Sequence, residues 1–164
     1  MEAPEKWSFP FQNEETAQFK HEELFSSDML LLGKATYQIF ADSWPARQGD
    51  FANRMNSIPK YVVSASLNQF PWNNSHPIKN HFLQEITTLK QQPGQDILVV
   101  GSGVLVQALM QHNLADEYRF LVHPVILGNG KRLFTNESQA ALRLVQAQSF
   151  STGMVLLKYQ SAKK

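Results

Sequence analysis

The 164-residue sequence predicts a single α/β domain spanning 1–164, built on a mostly parallel sheet with helices on both faces and an antiparallel edge at its C-terminal end. Three observations predict it. Two short apolar runs, Met29 to Leu32 and Ile97 to Val100, are continuous rather than alternating, the pattern of strands buried on both faces. Each run ends in glycine and passes directly into a helical pattern, the order of a parallel βα unit. The last two apolar segments, 142–148 and 154–159, are strand-like and joined through Gly153, as in an antiparallel pair. An apolar content of 43% is enough for one packed core.

Taken in order, Asn13 is placed to cap a helix over 13–25, with Glu14 and Glu15 in the first turn and Ala17, His21, Leu24 and Phe25 at helical spacing. Met29 to Leu32 is the first strand, stopped by Gly33, and 34–41 is a short helix. Asp50 is the candidate cap of a helix to about Asn56, which Pro59 closes. Lys60-Tyr61-Val62-Val63-Ser64 is β-branched and aromatic, hence a strand, and 68–77 reads as loop. Asn80 opens a helix with Phe82, Leu83, Ile86 and Leu89 on one face, ended by Gln92-Pro93-Gly94. Ile97 to Val100 is the next strand, Val104 to about His112 the next helix, and Glu117 to Val122 another strand.

Composition narrows the chemistry. With no cysteine there is neither a disulfide framework nor a thiolate metal site, so a redox role requires a bound cofactor. Fifteen basic and fourteen acidic residues are scattered, giving a net charge of +1 and no basic stripe for a phosphate backbone; no nucleic-acid partner is expected. None of the five histidines pairs at metal-ligand spacing, so no metal is expected. The acidic, proline-bearing start and the absence of any run of about 18 apolar residues predict a cytoplasmic protein without a membrane partner.

The two strand-to-helix glycine turns, Leu32-Gly33-Lys34-Ala35-Thr36 and Val100-Gly101-Ser102-Gly103, are the candidate phosphate site. Helix N-termini at the carboxyl ends of parallel strands present free N–H groups to anions, glycine permits close approach, and Thr36, Ser102 and Lys34 supply donors and charge. Neither turn is a standard motif. A Walker sequence would need glycine at Asp28 and Ser or Thr at Ala35, and the dinucleotide fingerprint would need Gly or Ala at Val106.

Four strings occur in order: Leu30-Leu31-Leu32-Gly33-Lys34-Ala35-Thr36-Tyr37; Lys60-Tyr61-Val62-Val63-Ser64; Asp96-Ile97-Leu98-Val99-Val100-Gly101-Ser102-Gly103; and Asp116-Glu117-Tyr118 through His123-Pro124-Val125-Ile126-Leu127-Gly128-Asn129-Gly130-Lys131-Arg132-Leu133-Phe134. Together, over essentially the whole chain, they resemble the bacterial dihydrofolate reductase-like proteins related to the C-terminal reductase domain of the riboflavin-biosynthesis deaminase/reductase. The resemblance implies a three-layer αβα fold and an NADPH site along the carboxyl edge of the sheet. By position it places Gly33, Lys34, Ala35 and Thr36 around the adenosine phosphate and pyrophosphate, Ser64, Ala65 and Ser66 near the adenine and 2′-phosphate, and Gly101, Ser102, Gly103, Val104 and Leu105 on the other side of the pyrophosphate. It also implies a cis peptide at Gly101-Ser102 and makes Glu15 and Gly128 substrate-side candidates; His123, before Pro124 at a strand end, and Tyr37, an aromatic able to wall a pocket for a flat heterocycle, join them on their own residues, each of the four with an ordinary structural reading beside the functional one. No catalytic acid is named.

Relatives begin with an apolar strand ending in a Ser-Leu-Asp-Gly-like turn, and Met1 to Trp7 is similar to the segment just after that turn. The first strand and its aspartate are thus expected to be missing, and Ile97 to Val100 is expected first to pair directly with Glu117 to Val122, and second to receive a strand from another chain. The functional expectation is an NADPH-dependent reductase of a pterin, pyrimidine or similar heterocycle, similar to dihydrofolate reductase and 5-amino-6-(5-phosphoribosylamino)uracil reductase, acting as a homodimer. The alternative is an NADPH-binding protein with little or no turnover.

Overall fold

The computed structural model describes residues 5–134 and 139–162. The chain divides into two compact units, one formed by Lys20–Ala108 and the other by Met1–Phe19 with Leu109–Lys164.

Helix α1 (Glu5–Ser8) and a 3-10 turn (Phe9–Phe11) lead to α2 (Glu14–Phe25). Asn13 caps α2 as its sequence suggests: its Oδ1 accepts the Thr16 N–H at 3.0 Å, and the Thr16 hydroxyl accepts the Asn13 N–H at 2.9 Å. Two donors that the first turn leaves free are thereby satisfied by one residue pair.

The Lys20–Ala108 unit is a parallel sheet. Its strands are β1 (Ser27–Gly33), β2 (Lys60–Val63), β3 (Ser75–Ile78) and β4 (Asp96–Gly101), in the order β3-β2-β1-β4. Leu30, Leu31 and Leu32 of β1 are all buried, so the strand is covered on both faces, the condition its unbroken apolar run called for. Truncating Leu30, which has no exposed surface, to alanine would cost about 2–5 kcal/mol. Helices α3 (Lys34–Ser43), α4 (Asp50–Ser57), α5 (Phe82–Gln91) and α6 (Gly103–Gln111) connect or follow these strands. Leu24, Leu30, Leu32, Tyr37, Met55, Ile58, Val62 and Trp72 form one core cluster, with Phe40, Trp44, Phe51, Leu67, Phe70 and Leu98 packed around it.

Two local readings change. Residues 75–77, expected as the end of a loop, belong to the edge strand β3, with Pro77 opposite Val62. Proline cannot donate to a ladder and is tolerated where the strand has a neighbour on one side only. Asp50 does not cap α4; Gly49, at φ 102°, is the cap residue, and Asp50 is the first helical residue, its carboxylate 3.0 Å from His21 Nε2.

In the other unit, β5 (Glu117–Val122), β6 (Leu142–Ser149) and β7 (Val155–Ser161) form an antiparallel sheet in the order β5-β7-β6. The predicted C-terminal pair is thus present. The Phe150 N–H donates to the Met154 carbonyl at 2.8 Å across its turn, where Gly153 takes φ 83°, a conformation a side chain disfavours. Phe150, Met154 and Leu156 are buried with Phe11, Phe19 and Leu121 against them.

The fold class is therefore α/β with a mostly parallel sheet and an antiparallel sheet, but the direct pairing of Ile97–Val100 with Glu117–Val122 is not formed. Among the described residues β4 pairs with β1 and β5 with β7. The expectation assumed that unpaired backbone would be buried at substantial cost. Within the parallel unit β4 is an edge strand, with Asp96 and Val100 exposed.

Candidate nucleotide site

The site is built from the two glycine turns of the parallel unit. β1 ends at Gly33 and α3 begins at Lys34; β4 ends at Gly101 and α6 begins at Gly103. The turns are in contact. A side-chain carbon at Gly33 would stand 2.5 Å from Ser102 Oγ and 3.0 Å from its backbone nitrogen, and one at Gly101 would stand 2.8 Å from Thr36 Oγ1. Each glycine thus gives its place to the hydroxyl residue of the other turn. Gly101 also has φ 149°, and the Gly101–Ser102 peptide is cis, as the resemblance implied.

Two helix N-termini therefore open side by side, an arrangement suited to an anion bridged between them. They head a cavity of about 440 Å³ lined by Gly33, Lys34, Ala35, Gln38, Val63, Phe82, Ser102, Val104, Leu105 and Ala108. Its chemistry is uneven: Lys34, Gln38 and Ser102 are polar, whereas Val63, Phe82, Val104, Leu105 and Ala108 are apolar.

Beside it, the end of β2 turns on Ser64. This buried hydroxyl accepts the N–H of Ser66 at 3.3 Å and of Leu67 at 3.0 Å, folding 64–67 into a tight turn. The turn brings the Ser66 hydroxyl to 2.9 Å from Lys34 Nζ, both exposed. Lys34 and Ser66 are 32 residues apart in sequence and act on one point of the surface.

Of the residues expected around the cofactor, Gly33, Lys34, Ala35, Ser102, Val104 and Leu105 line the cavity, Thr36 and Gly101 form the interlock, and Ser66 reaches Lys34. Ala65 and Gly103 are exposed without a lining role. Four lining residues were not anticipated. Gln38 and Ala108 lie one helical turn beyond Lys34 and Val104, a spacing from which they were legible; Val63 and Phe82 come from other elements, and only the fold brings them in.

The substrate-side candidates are not among the residues named as lining this cavity. Tyr37 is in the core, its hydroxyl accepting the Trp72 N–H at 3.2 Å. Glu15, His123 and Gly128 belong to the other compact unit. There the exposed Glu15 carboxylate accepts the Ser151 N–H and hydroxyl, both at 2.8 Å, and these bonds, the backbone one first, hold its carboxyl below the usual range. His123 stands edge-on to Trp7 and Phe11, with Nδ1 3.1 Å from the Leu121 carbonyl. Gly128 is an exposed loop residue at φ 73°. Among the described residues no helix is long and apolar enough to cross a membrane.

Comparison with known proteins agrees with this architecture. The uncharacterized protein YyaP of Bacillus subtilis is 31% identical over 138 residues, covering 80% of this chain and 73% of its own. A candidate riboflavin biosynthesis protein from Shewanella sp. PV-4 superposes with a TM-score of 0.71 at 20% identity, over 87% of this chain and 78% of its own. Dihydrofolate reductase from Enterococcus faecalis, solved in complex with NADP(H), superposes at 0.63 with 12% identity, over 94% and 85%. The family model described as the RibD C-terminal domain matches residues 2–156, and with that match across nearly its whole length the chain belongs to the RibD C-terminal domain family.

Proposed function

We propose that this protein is an NADPH-dependent reductase of a pyrimidine, pterin or similar conjugated heterocycle. The observation that carries the reading is the interlock of the two glycine turns, which sets two helix starts, whose first N–H groups have no partner within their own helix, at the head of a largely apolar cavity, with Lys34 and Ser66 converging beside it. A dinucleotide needs these features together: a cradle for its pyrophosphate, an apolar wall for a base, and a cation with hydroxyls for a 2′-phosphate. The Phe82 ring with Val104 and Ala108 supplies the apolar wall, and Gln38 the amide that pairs with a ring nitrogen. When bound, the cofactor supplies hydride; the chain binds and orients it.

A second reading is binding without turnover. It is favoured by the lining itself, in which, among the described residues, Lys34 is the titratable one and neither a carboxylate nor an imidazole appears. Fluorescence titration with NADPH, followed by pterins and pyrimidines at the NADPH absorbance, separates the two: binding with oxidation supports a reductase, binding alone the second reading, and no binding rejects both. For assembly we propose a homodimer through the antiparallel unit, where β6 is an edge strand with Leu144 and Val145 exposed. Sedimentation showing only monomer at micromolar concentration would reject it.

A further inference from the structure

Lys60, the first residue of β2, has no exposed surface, and no carboxylate among the described residues pairs with it. Its ammonium has three protons and three acceptors: the carbonyls of Asn56 at 3.0 Å, Ile58 at 2.7 Å and Asn73 at 3.0 Å. The Trp72 ring covers it, with Nζ 4.4 Å from the ring centre. Two of these carbonyls lie at the C-terminal end of α4, where a helix leaves acceptors unpaired and its dipole favours a cation. The third belongs to the turn before β3. One buried cation thus joins a helix end, a strand start and a turn distant in sequence.

The joint closes one end of segment 64–74. The Ser64 hydroxyl folds the other end, and Leu67, Phe70 and Trp72 pack into the core between them. Around Lys60 the fastening is completed by Trp72 Nε1 donating to Asn56 Oδ1 at 2.7 Å, by Asn74 Nδ2 donating to the Ser57 carbonyl at 2.8 Å, and by the Lys60 N–H donating to the Asn74 carbonyl at 2.9 Å. Removing the ammonium would take the Lys60 donor from all three carbonyls, leaving the Asn56 carbonyl only the longer bond from Asn73 Nδ2 at 3.4 Å.

We infer that Lys60 is the positioning residue of segment 64–74: its caged ammonium fastens the end of that segment to α4 and so fixes where Ser64 and Ser66 stand beside Lys34. The part concerning Ser64 and Ser66 rests on the nucleotide reading above; the cage does not.

The test uses Lys60→Ala and Lys60→Met, with amide exchange across the chain and calorimetry with 2′,5′-ADP. Exchange within 64–74 is expected to rise at least about tenfold in both variants while β1 and β4 stay protected, and affinity to fall at least about fivefold. Propylammonium, which restores the missing stem and cation to Lys60→Ala, recovers both readouts, whereas propanol, of similar shape but uncharged, does not. Unchanged exchange, or equal recovery with propanol, overturns the cage as a cation site. Faster exchange with unchanged affinity overturns the positioning role. If the parent protein does not bind 2′,5′-ADP, the nucleotide reading falls, and exchange with its rescue decides the cage alone. If neither variant folds, the parent decides: Lys60 ammonium protons that exchange slowly and show cross-relaxation with the Trp72 ring support the cage, and freely exchanging ones overturn it.

Discussion

Lys34 Nζ donates to Ser66 Oγ at 2.9 Å, joining the first residue of α3 to the turn after β2. A cation and a hydroxyl already held together give a phosphate two donors at once, with part of their ordering complete before it binds.

NADPH is therefore expected to bind more tightly than NADH. Because both groups are exposed, each charged contact is worth about 1 kcal/mol, and Lys34→Ala should narrow the preference about fivefold. Calorimetry with both cofactors measures it; equal affinities in the parent protein would remove the 2′-phosphate assignment.

Gly33 provides a cleaner test of the cradle than Gly101. At Gly101 a side chain meets Thr36 and also an unfavourable φ of 149°, so Gly101→Val disturbs folding and site together. Gly33 has φ −79°, an ordinary value, and a methyl group placed there meets Ser102. Gly33→Ala should displace Ser102 and reduce cofactor affinity at least about tenfold, with a loss of stability of about 1–3 kcal/mol. Urea unfolding alongside fluorescence titration separates the effects, and parent-like cofactor affinity places the phosphates elsewhere.

Glu15 gives an acid-range prediction. The Ser151 N–H, and after it the Ser151 hydroxyl, favour the carboxylate, so its folded pKa lies below the ordinary 4.5. The unfolded chain therefore takes up this proton first as pH falls, and the stability Glu15 contributes is complete above 4.5 and lost as pH drops through the folded value. Urea unfolding should show the parent's advantage over Glu15→Gln shrinking in that window; a constant difference rejects the effect.

Lys60 gives the opposite end of the pH scale. Burial pushes its pKa from 10.5 down to about 8, so between these values the unfolded chain holds a proton that the folded chain has released. Stability contributed by this group is present above 10.5 and lost as pH falls through about 8. Relative to Lys60→Met, the parent should gain stability from about pH 7.5 to about pH 10, measured by urea unfolding; a flat difference rejects the lowered pKa.

Much of the parallel unit was legible because its signals are local. Unbroken apolar runs in 29–32 and 97–100, each closed by glycine, mark strands that enter helices; in the other unit, Asn13 followed by Glu14 and Glu15 marks a helix start. The cofactor-side residues come from the same punctuation, since a helix N-terminus lies where its strand stops. Segment 75–78 was not legible: its short Ser-His-Pro-Ile sequence has weak strand character and becomes a strand because β2 offers it a free edge.

By itself the sequence determined the α/β class, the two glycine turns and the residue types available to an anion, because backbone conformation and hydrophobic periodicity act over a few neighbouring residues. Tertiary structure alone decided that Gly33 faces Ser102 and Gly101 faces Thr36, that Lys34 reaches Ser66, that Phe82 walls the cavity, and that Lys60 is buried in a cage of carbonyls. These pairs are separated by tens of residues or depend on several elements at once. A lysine at a strand start is ordinarily solvated, and it is buried here because the end of α4 and the turn before β3 supply, from outside its own segment, the acceptors that water would otherwise provide.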